Sequence, residues 1–298
     1  MNGIAQNVVF WFKQEISVFI VAQKNQPDIS VIIPTYNRAH ILPRALDSVL
    51  AQTQLPIEII VVNDGSTDGT KSVLSNYYGL KIIDQQHSGV SAARNIGLEH
   101  TNREWIAFLD SDDEWLPEKL KQQWAAICND DKLICHTEEI WIRNGKRVNP
   151  MKKHQKHGSW IYKKCLPICV ISPSSVMIHQ SVFNDIGVFD ESLEVCEDYD
   201  LWLRICSKYS TLFIDEPLIV KYGGHEDQLS RKYWGMDRFR VQALEKMLDS
   251  EELNEDQRRA TIEMLIQKCK IIINGMKKRR KDVEAKEWQE KLNLYLSF

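Results

Sequence analysis

Glycine and proline are scarce, 13 and 9 in 298 residues, which excludes a collagen-like or low-complexity chain. Neither sign of charge dominates: 38 Lys and Arg stand against 41 Asp and Glu, for a formal net charge of −3. That excludes the strongly basic footprint of a general nucleic-acid binder, so no nucleic-acid partner is expected. There is no apolar run of about 20 residues, the length a membrane helix needs. The nearest approach, Val8 to Phe12 and Ile16 to Ala22, is divided by Lys13 and Glu15, and charges near the middle of a span make insertion costly. Residues 1–28 are therefore set apart as an N-terminal apolar extension. An extra packed helix or a segment outside the core fold ranks above an interfacial helix. No basic flank and small-residue cleavage site mark a secretory signal. Seven cysteines, Cys128, Cys135, Cys165, Cys169, Cys196, Cys206 and Cys269, are odd in number and scattered, which suits free thiols in a reducing cytoplasm. Cys165 and Cys169, just after His154 and His157, lack the Cys-x-x-Cys spacing of common zinc modules.

What is present is an ordinary globular balance, 43% hydrophobic and 27% charged residues, in a length that suits one large domain with an appendage. Ile29 to Ile33 is a β-branched run stopped by Pro34, a buried strand by pattern. Ile41 to Gln52 carries Leu42, Ala45, Leu46, Val49 and Leu50 at helical spacing. Further strands are expected at Ile57 to Val62, Leu80 to Asp84 and Trp105 to Leu109, and helices at Asp68 to Tyr78 and Ser91 to Glu99. This alternation predicts an α/β domain with a mostly parallel sheet. Ligands of such sheets sit beyond the carboxyl ends of the strands. Polar clusters fall there: Thr35-Tyr36-Asn37, Asn63-Asp64 and Asp110 to Asp113.

After Asp131 the rhythm changes. Strands are expected at Leu133 to Ile142, beyond a turn at Asn144-Gly145, at Ser174 to His179, and as one or two short pieces in Leu212 to Val220, broken by Pro217. Tyr199 to Lys208 is helical in pattern. From Tyr233 onward the chain is helical, with a turn at Asn274-Gly275.

Asp110-Ser111-Asp112 follows a buried strand. Two carboxylates so spaced can share a hard divalent cation, and Mg²⁺ usually completes its oxygen shell with substrate phosphates. A cation bridging two phosphates also stabilises a departing diphosphate. A plain acidic cap for the helix ahead explains the motif alone equally well.

The order of motifs separates the two explanations. Val31-Ile-Ile-Pro-Thr-Tyr-Asn-Arg38 is followed by Val61-Val-Asn-Asp-Gly-Ser-Thr-Asp68, Gly89-Val-Ser-Ala-Ala-Arg-Asn95 and Phe108-Leu-Asp-Ser-Asp-Asp113. Gly187-Val-Phe-Asp-Glu191 and Glu197-Asp-Tyr-Asp-Leu-Trp-Leu-Arg204 complete the series. It resembles the family 2 glycosyltransferases, inverting enzymes of the GT-A fold, a Rossmann-like nucleotide-diphospho-sugar transferase architecture. The resemblance implies a GT-A domain over 29–230, with a donor half at 29–131 and an acceptor half at 132–230, and a helical C-terminal extension at 231–298.

By the same resemblance, Pro34, Thr35, Tyr36 and Asn37 would line the uracil and ribose pocket, and Asp64 would accept a hydrogen bond from the base. Asn63 stands where the family often has Asp. Arg94 would sit near the diphosphate or base, where a permanent guanidinium suits phosphate. Asp110, with Ser111, would contact the ribose or the metal, and Asp112 would ligate Mg²⁺ or Mn²⁺ directly. Asp198 would be the general base, at the N-terminus of the helix from Tyr199 where a carboxylate is favoured, and Glu197 would position base or acceptor. Asp200 would point away. His225, after Gly223-Gly224, would ligate the metal or meet phosphate; an ordinary surface-loop histidine is the equal alternative.

Two features stay open. In the loop His154 to Trp160, Trp160 and Tyr162 would stack on a sugar while Lys152, Lys153 and Lys156 meet phosphate, or the loop is simply solvated. The run Lys277 to Lys281 would meet anionic lipid, although the acids at 282, 284, 287 and 290 offset it and favour a solvated turn. The expected function is metal-dependent inverting transfer of a sugar from a UDP-sugar, or another nucleotide-diphosphate sugar, to a glycan or lipid-linked glycan. The expected setting is surface polysaccharide or lipopolysaccharide assembly, in the cytoplasm, with peripheral contact at the inner membrane left open. The alternatives are a sugar nucleotidyltransferase, disfavoured because no glycine-rich loop follows the first strand, and a non-catalytic nucleotide-binding scaffold.

Overall fold

The computed structural model describes residues 27–224 and 233–298. All but the last two residues of the N-terminal extension lie outside the described residues, and so does His225. The apolar runs form strands where expected: β1 (Ile29–Thr35), β2 (Glu58–Asp64), β3 (Lys81–Gln85) and β4 (Trp105–Phe108). Every residue of β1 and β4 is buried, as a parallel strand covered on both faces requires. Between them lie α1 (Leu42–Leu50), α2 (Thr70–Leu74) and α3 (Val90–Glu99). Gly97 lets α3 press onto β1, since a Cβ there would come 2.4 Å from Ile32 Cγ2.

The chain continues through β5 (Glu114–Trp115), α4 (Lys119–Cys128), β6 (Ile134–Arg143), β7 (Lys146–Val148) and α5 (Tyr162–Cys165). Next come β8 (Met177–His179), α6 (Gln180–Ile186), α7 (Glu197–Lys208) and β9 (Leu212–Gly223). All nine strands join one sheet in the order β3-β2-β1-β4-β8-β6-β9-β5, with β7 beside β6. The mostly parallel sheet expected from the strand–helix alternation is present: β1 to β4 are parallel to their neighbours in that group, and β6 and β9 also pair parallel. Antiparallel pairing enters in short ladders, with β8 antiparallel to both β4 and β6, and β5 antiparallel to β9.

Three local expectations change. Leu212 to Gly223 is one strand, and Pro217 sits opposite Glu138 where the register shifts, a position that spares the ladder a missing N–H. Ser174 and Ser175 belong to a 3-10 turn ahead of β8. Asn274-Gly275 is no turn, because α9 (Glu255–Lys278) runs through it. The chain reverses at 279–281, with Arg280 at φ 58°, before α10 (Asp282–Tyr295).

The C-terminal helices are not a separate body. Helix α8 (Asp237–Asp249) and α9 bury Val241, Leu244, Leu265, Cys269 and Ile273 in the same apolar cluster as Phe108, Trp202 and Ile205. The described cysteines are free thiols, and no described helix is long and apolar enough to cross a membrane.

Candidate active site

The carboxyl ends of β1, β2 and β4 open on a cleft of about 1060 Å³. Its near wall is built by cross-ties between loops. Asn37, at φ 52°, donates its N–H to Ser66 Oγ (2.9 Å) and accepts from Thr67 N (2.8 Å). Asp68 Oδ2 accepts from Ala39 N (3.1 Å), and Arg38 N donates to Thr70 Oγ1 (3.1 Å). The Asn-Asp-Gly-Ser-Thr-Asp motif is thus a clamp that fixes the loop after β1, leaving Pro34, Thr35 and Tyr36 on the cleft.

Asp64 is buried and saturated. Its Oδ1 accepts from Gln85 Nε2 (2.6 Å) and Ser88 N (2.8 Å), and its Oδ2 contacts His87 Nδ1 (2.8 Å) and accepts from Gly89 N (2.9 Å). The His87 ring stacks on Tyr36 with centroids 3.8 Å apart and planes 12° apart. One imidazole thus meets both groups assigned to the base. Asn63 takes the role of the local turn: its Oδ1 accepts from Ser66 N (3.2 Å) while its Nδ2 holds Asp84 (2.6 Å). Gly65 is required beside it, at φ +71° and with His87 N only 2.7 Å from any Cβ.

The acidic turn is organised by a serine that sequence reasoning missed. Ser174 Oγ accepts from Asp110 N (3.1 Å) and donates to Asp113 Oδ2 (2.6 Å), and its carbonyl accepts from Trp115 Nε1 (2.8 Å). No described side chain donates to the Asp112 carboxylate, which faces the cleft half-buried. Burial and the neighbouring Asp110 push Asp112 up, and burial pushes Asp113 well up.

Arg94 is no solvated helix charge. It is 3% exposed, and its fork is spent on two acids: Nη2 on Asp110 Oδ1 (2.7 Å) and Nη1 on Glu197 Oε1 (2.8 Å). Burial opposes its charge, but Asp110 and Glu197 together outweigh that and hold the proton. Glu197 is pushed up by burial and by Asp198, against the pull of Arg94. Asn95 repeats the tie one residue on, accepting from Phe189 N (3.0 Å) and donating to Phe189 O (2.9 Å) and Glu191 Oε1 (2.8 Å). The Arg-Asn pair of α3 therefore fastens the donor half to both acidic motifs of the acceptor half.

Helix α7 starts at Glu197, two residues before the expected Tyr199, behind Cys196 in the left-handed region at φ 66°. Asp198 lies in its first turn on the far wall of the cleft. Its Oδ1 accepts from Tyr199 N (2.7 Å) and its Oδ2 from the thiol of Cys169 (3.2 Å). Burial and Asp198 push that thiol well up, so it remains a donor. Asp200 points away, fully buried against Arg204 (2.9 Å) and Lys246 (2.7 Å).

The loop His154 to Trp160 does not line the cleft. Lys156 is buried on Glu139 (3.2 Å) and the carbonyl of Val170 (2.8 Å), Tyr162 on Thr261 (2.7 Å), and Trp160 is exposed. Conversely, Cys169 and Lys221, together with Tyr233, Met236 and Arg240 from the C-terminal extension, line it unforeseen. No motif marks them, because their place follows from how β9 and α8 pack.

The donor set fits a hard cation. Among the described residues no three His, Cys, Asp or Glu side chains converge as a complete metal cluster. A cation in the cleft would find oxygen ligands in the carboxylates of Asp112 and Asp110, both of which line it, and phosphate oxygens and water would complete the shell that Mg²⁺ prefers.

A parallel four-stranded half with a cleft and an acidic turn at its carboxyl edge, joined to a half that presents a carboxylate, is the architecture of a nucleotide-sugar-binding α/β fold. The fold is the GT-A fold. It is similar to the crystal structure of Staphylococcus aureus TarS 1-349 in complex with UDP-GlcNAc, at a TM-score of 0.63 and 22% identity over 80% of this chain and 70% of that one. The family model "Glycosyl transferase family 2" matches residues 30–187, more than half of the chain. The chain belongs to glycosyltransferase family 2. It is 34% identical to the uncharacterized glycosyltransferase RT0329 of Rickettsia typhi over 68% of this chain, and spans 65% of that relative's length. It is 31% identical to the Escherichia coli UDP-Glc:alpha-D-GlcNAc-diphosphoundecaprenol beta-1,3-glucosyltransferase WfgD over 59% of this chain and 69% of that one.

Proposed function

We propose that the protein is a metal-dependent inverting glycosyltransferase that moves a sugar from a UDP-sugar to a hydroxyl of a glycan or lipid-linked glycan. The observation that carries this reading is the Asp110–Arg94–Glu197 bridge. It holds the acidic turn, with Asp112 facing the cleft, on one wall and Asp198 on the other, the arrangement that a one-step displacement between two substrates needs. The relatives' names support the substrate classes: UDP-glucose and a diphosphoundecaprenol-linked sugar for WfgD, and UDP-GlcNAc for TarS. Those substrate classes support a cytoplasmic setting in surface polysaccharide or lipopolysaccharide assembly as part of this reading.

Tyr36 offers its ring to the base, a stacking surface worth about 1–3 kcal/mol. Asp112, with Asp110, would hold Mg²⁺ or Mn²⁺, which when bound supplies Lewis-acid stabilisation of the diphosphate. Asp198 accepts the acceptor hydroxyl's proton as its oxygen attacks the anomeric carbon. The bond from that carbon to the β-phosphate oxygen breaks, the electron pair leaves with UDP, and the configuration inverts. Arg94 keeps Glu197 and Asp110 in register and is itself occupied by them.

The test is UDP release and glycan transfer with and without Mn²⁺, comparing wild type with Asp112→Ala and Asp198→Asn. Both variants are expected to lose at least about 100-fold in kcat, in line with losing a general base or a metal. Full activity in Asp198→Asn overturns the assignment of the base.

A further inference from the structure

We propose that Lys221 is a second phosphate-binding group of the cleft, a fixed ammonium that takes the β-phosphate of the nucleotide as it departs. The inference rests on the glycosyl-transfer reading and adds a residue that none of the recognised motifs contains.

Lys221 projects into the cleft from β9. The strand is held at that point. Tyr222 N donates to Asp113 Oδ1 (3.3 Å), Tyr222 Oη donates to Glu114 Oε2 (2.6 Å), and the Arg44 guanidinium lies 3.5 Å over the Tyr222 ring. The ammonium gives one hydrogen bond, to Ser172 Oγ (3.1 Å). Ser172 in turn donates to Glu139 Oε2 (2.6 Å), and Glu139 is fixed by Lys156 (3.2 Å) and by Trp141 Nε1 on its other oxygen (2.7 Å). Burial opposes the charge on Lys221, yet Asp113, Glu139, Asp110 and Asp198 outweigh it and keep the group protonated.

Four carboxylates thus act on this lysine, but among the described residues it forms no direct ion pair with any of them. Each is engaged by other donors: Asp113 by Ser174 and Tyr222 N, Glu139 by Ser172, Trp141 and Lys156, Asp110 by Arg94, and Asp198 by Tyr199 N and Cys169. An ammonium has three protons, so two N–H groups remain for a ligand in the cleft. A held cation with unspent donors, between the acidic turn and Asp198, suits the oxygen that gains charge when the glycosidic bond breaks. Lysine serves phosphate well as a point charge. The rigid Ser172–Glu139–Lys156 support means that little reorganisation accompanies the reaction.

The experiment is calorimetric titration of UDP and UMP, at fixed Mg²⁺, into the full chain as wild type, Lys221→Met and Lys221→Gln. Wild type is expected to prefer UDP. Lys221→Met is expected to lose about tenfold in UDP affinity, the worth of one charge-assisted hydrogen bond, and less than about twofold in UMP affinity. If Lys221→Met no longer binds UMP, its fold is compromised and Lys221→Gln, which keeps a donor for Ser172, is read in its place with the same expectation. UDP affinity within about twofold of wild type in the variant read overturns the proposal. Wild type that binds neither nucleotide overturns the UDP-donor reading on which the proposal rests, a different result from an unchanged preference in the variant.

Discussion

Replacing Arg94 by Met removes the one cation between two carboxylates that belong to different halves of the sheet. Arg94 is 3% exposed and Glu197 6%, so Glu197 would be left charged and unpaired in a nearly dry site. Breaking a buried pair in this way costs about 3–5 kcal/mol. Asp110, with a quarter of its side chain exposed, is partly relieved by water and contributes the smaller share. The cost depends on pH in a known direction. Glu197 already lies above its ordinary range through burial and Asp198, and Arg94 is the group that pulls it down. Without Arg94 its folded value rises further above the unfolded one. A carboxyl so raised contributes stability that is present below the unfolded value and lost as pH climbs through the folded one. The variant should therefore be about 3–5 kcal/mol less stable than wild type in urea unfolding at pH 8, with a smaller gap at pH 5. Adding Glu197→Gln should recover much of the loss at pH 8 and little at pH 5. A gap below about 1 kcal/mol at pH 8, the value of an exposed pair, or a gap that does not change with pH refutes the reasoning.

Three further outcomes are expected. Tyr36→Ala should weaken UDP binding by about tenfold in calorimetry through loss of a stacking surface, with unfolding stability lowered by about 0.5–1.5 kcal/mol through loss of the stack on His87. Cys169→Ala removes the thiol that lies 3.2 Å from both Asp198 Oδ2 and the carbonyl of Ile171, so kcat should fall severalfold with UDP affinity unchanged, and Cys169→Ser, which keeps a donor, should restore it. Tyr162→Phe should cost about 1 kcal/mol of stability through loss of its buried hydrogen bond to Thr261, whose hydroxyl keeps the carbonyl of Gln257, and leave KM for the acceptor unchanged; a raised KM would return Tyr162 to the substrate.

The donor half was legible because its information is local. A buried strand of four to seven residues announces itself by composition, and the polar residue that follows it falls at the carboxyl edge whatever the distant chain does. The acceptor half is arranged differently. Its strands enter the sheet in the order β8-β6-β9, between β4 and β5 of the donor half, which no local pattern encodes. The loop at 154–160 shows the same limit. Its lysines and aromatics have the composition of a glycan site, yet β6 and the C-terminal helices draw Lys156 and Tyr162 inward to Glu139 and Thr261.

The motifs themselves are largely instruments for joining chain segments, and this explains why they are recognisable in order. Asn37, Asp68 and Asn95 each spend side-chain polar atoms on main chain or side chain from a segment 29 to 96 residues away. Arg94 spans 103 residues to reach Glu197. Such ties demand a particular side chain at a particular place, so they leave a sharp imprint in sequence. Lys221 and Cys169 are also placed by their surroundings, but each hangs on contacts that other residues make for it. A lysine on a strand and a cysteine after a short helix carry no imprint of their own. The cleft is therefore readable from sequence where its residues make these ties or sit in the same motifs, as Tyr36 and Asp112 do, and becomes visible only in the structure at Lys221 and Cys169.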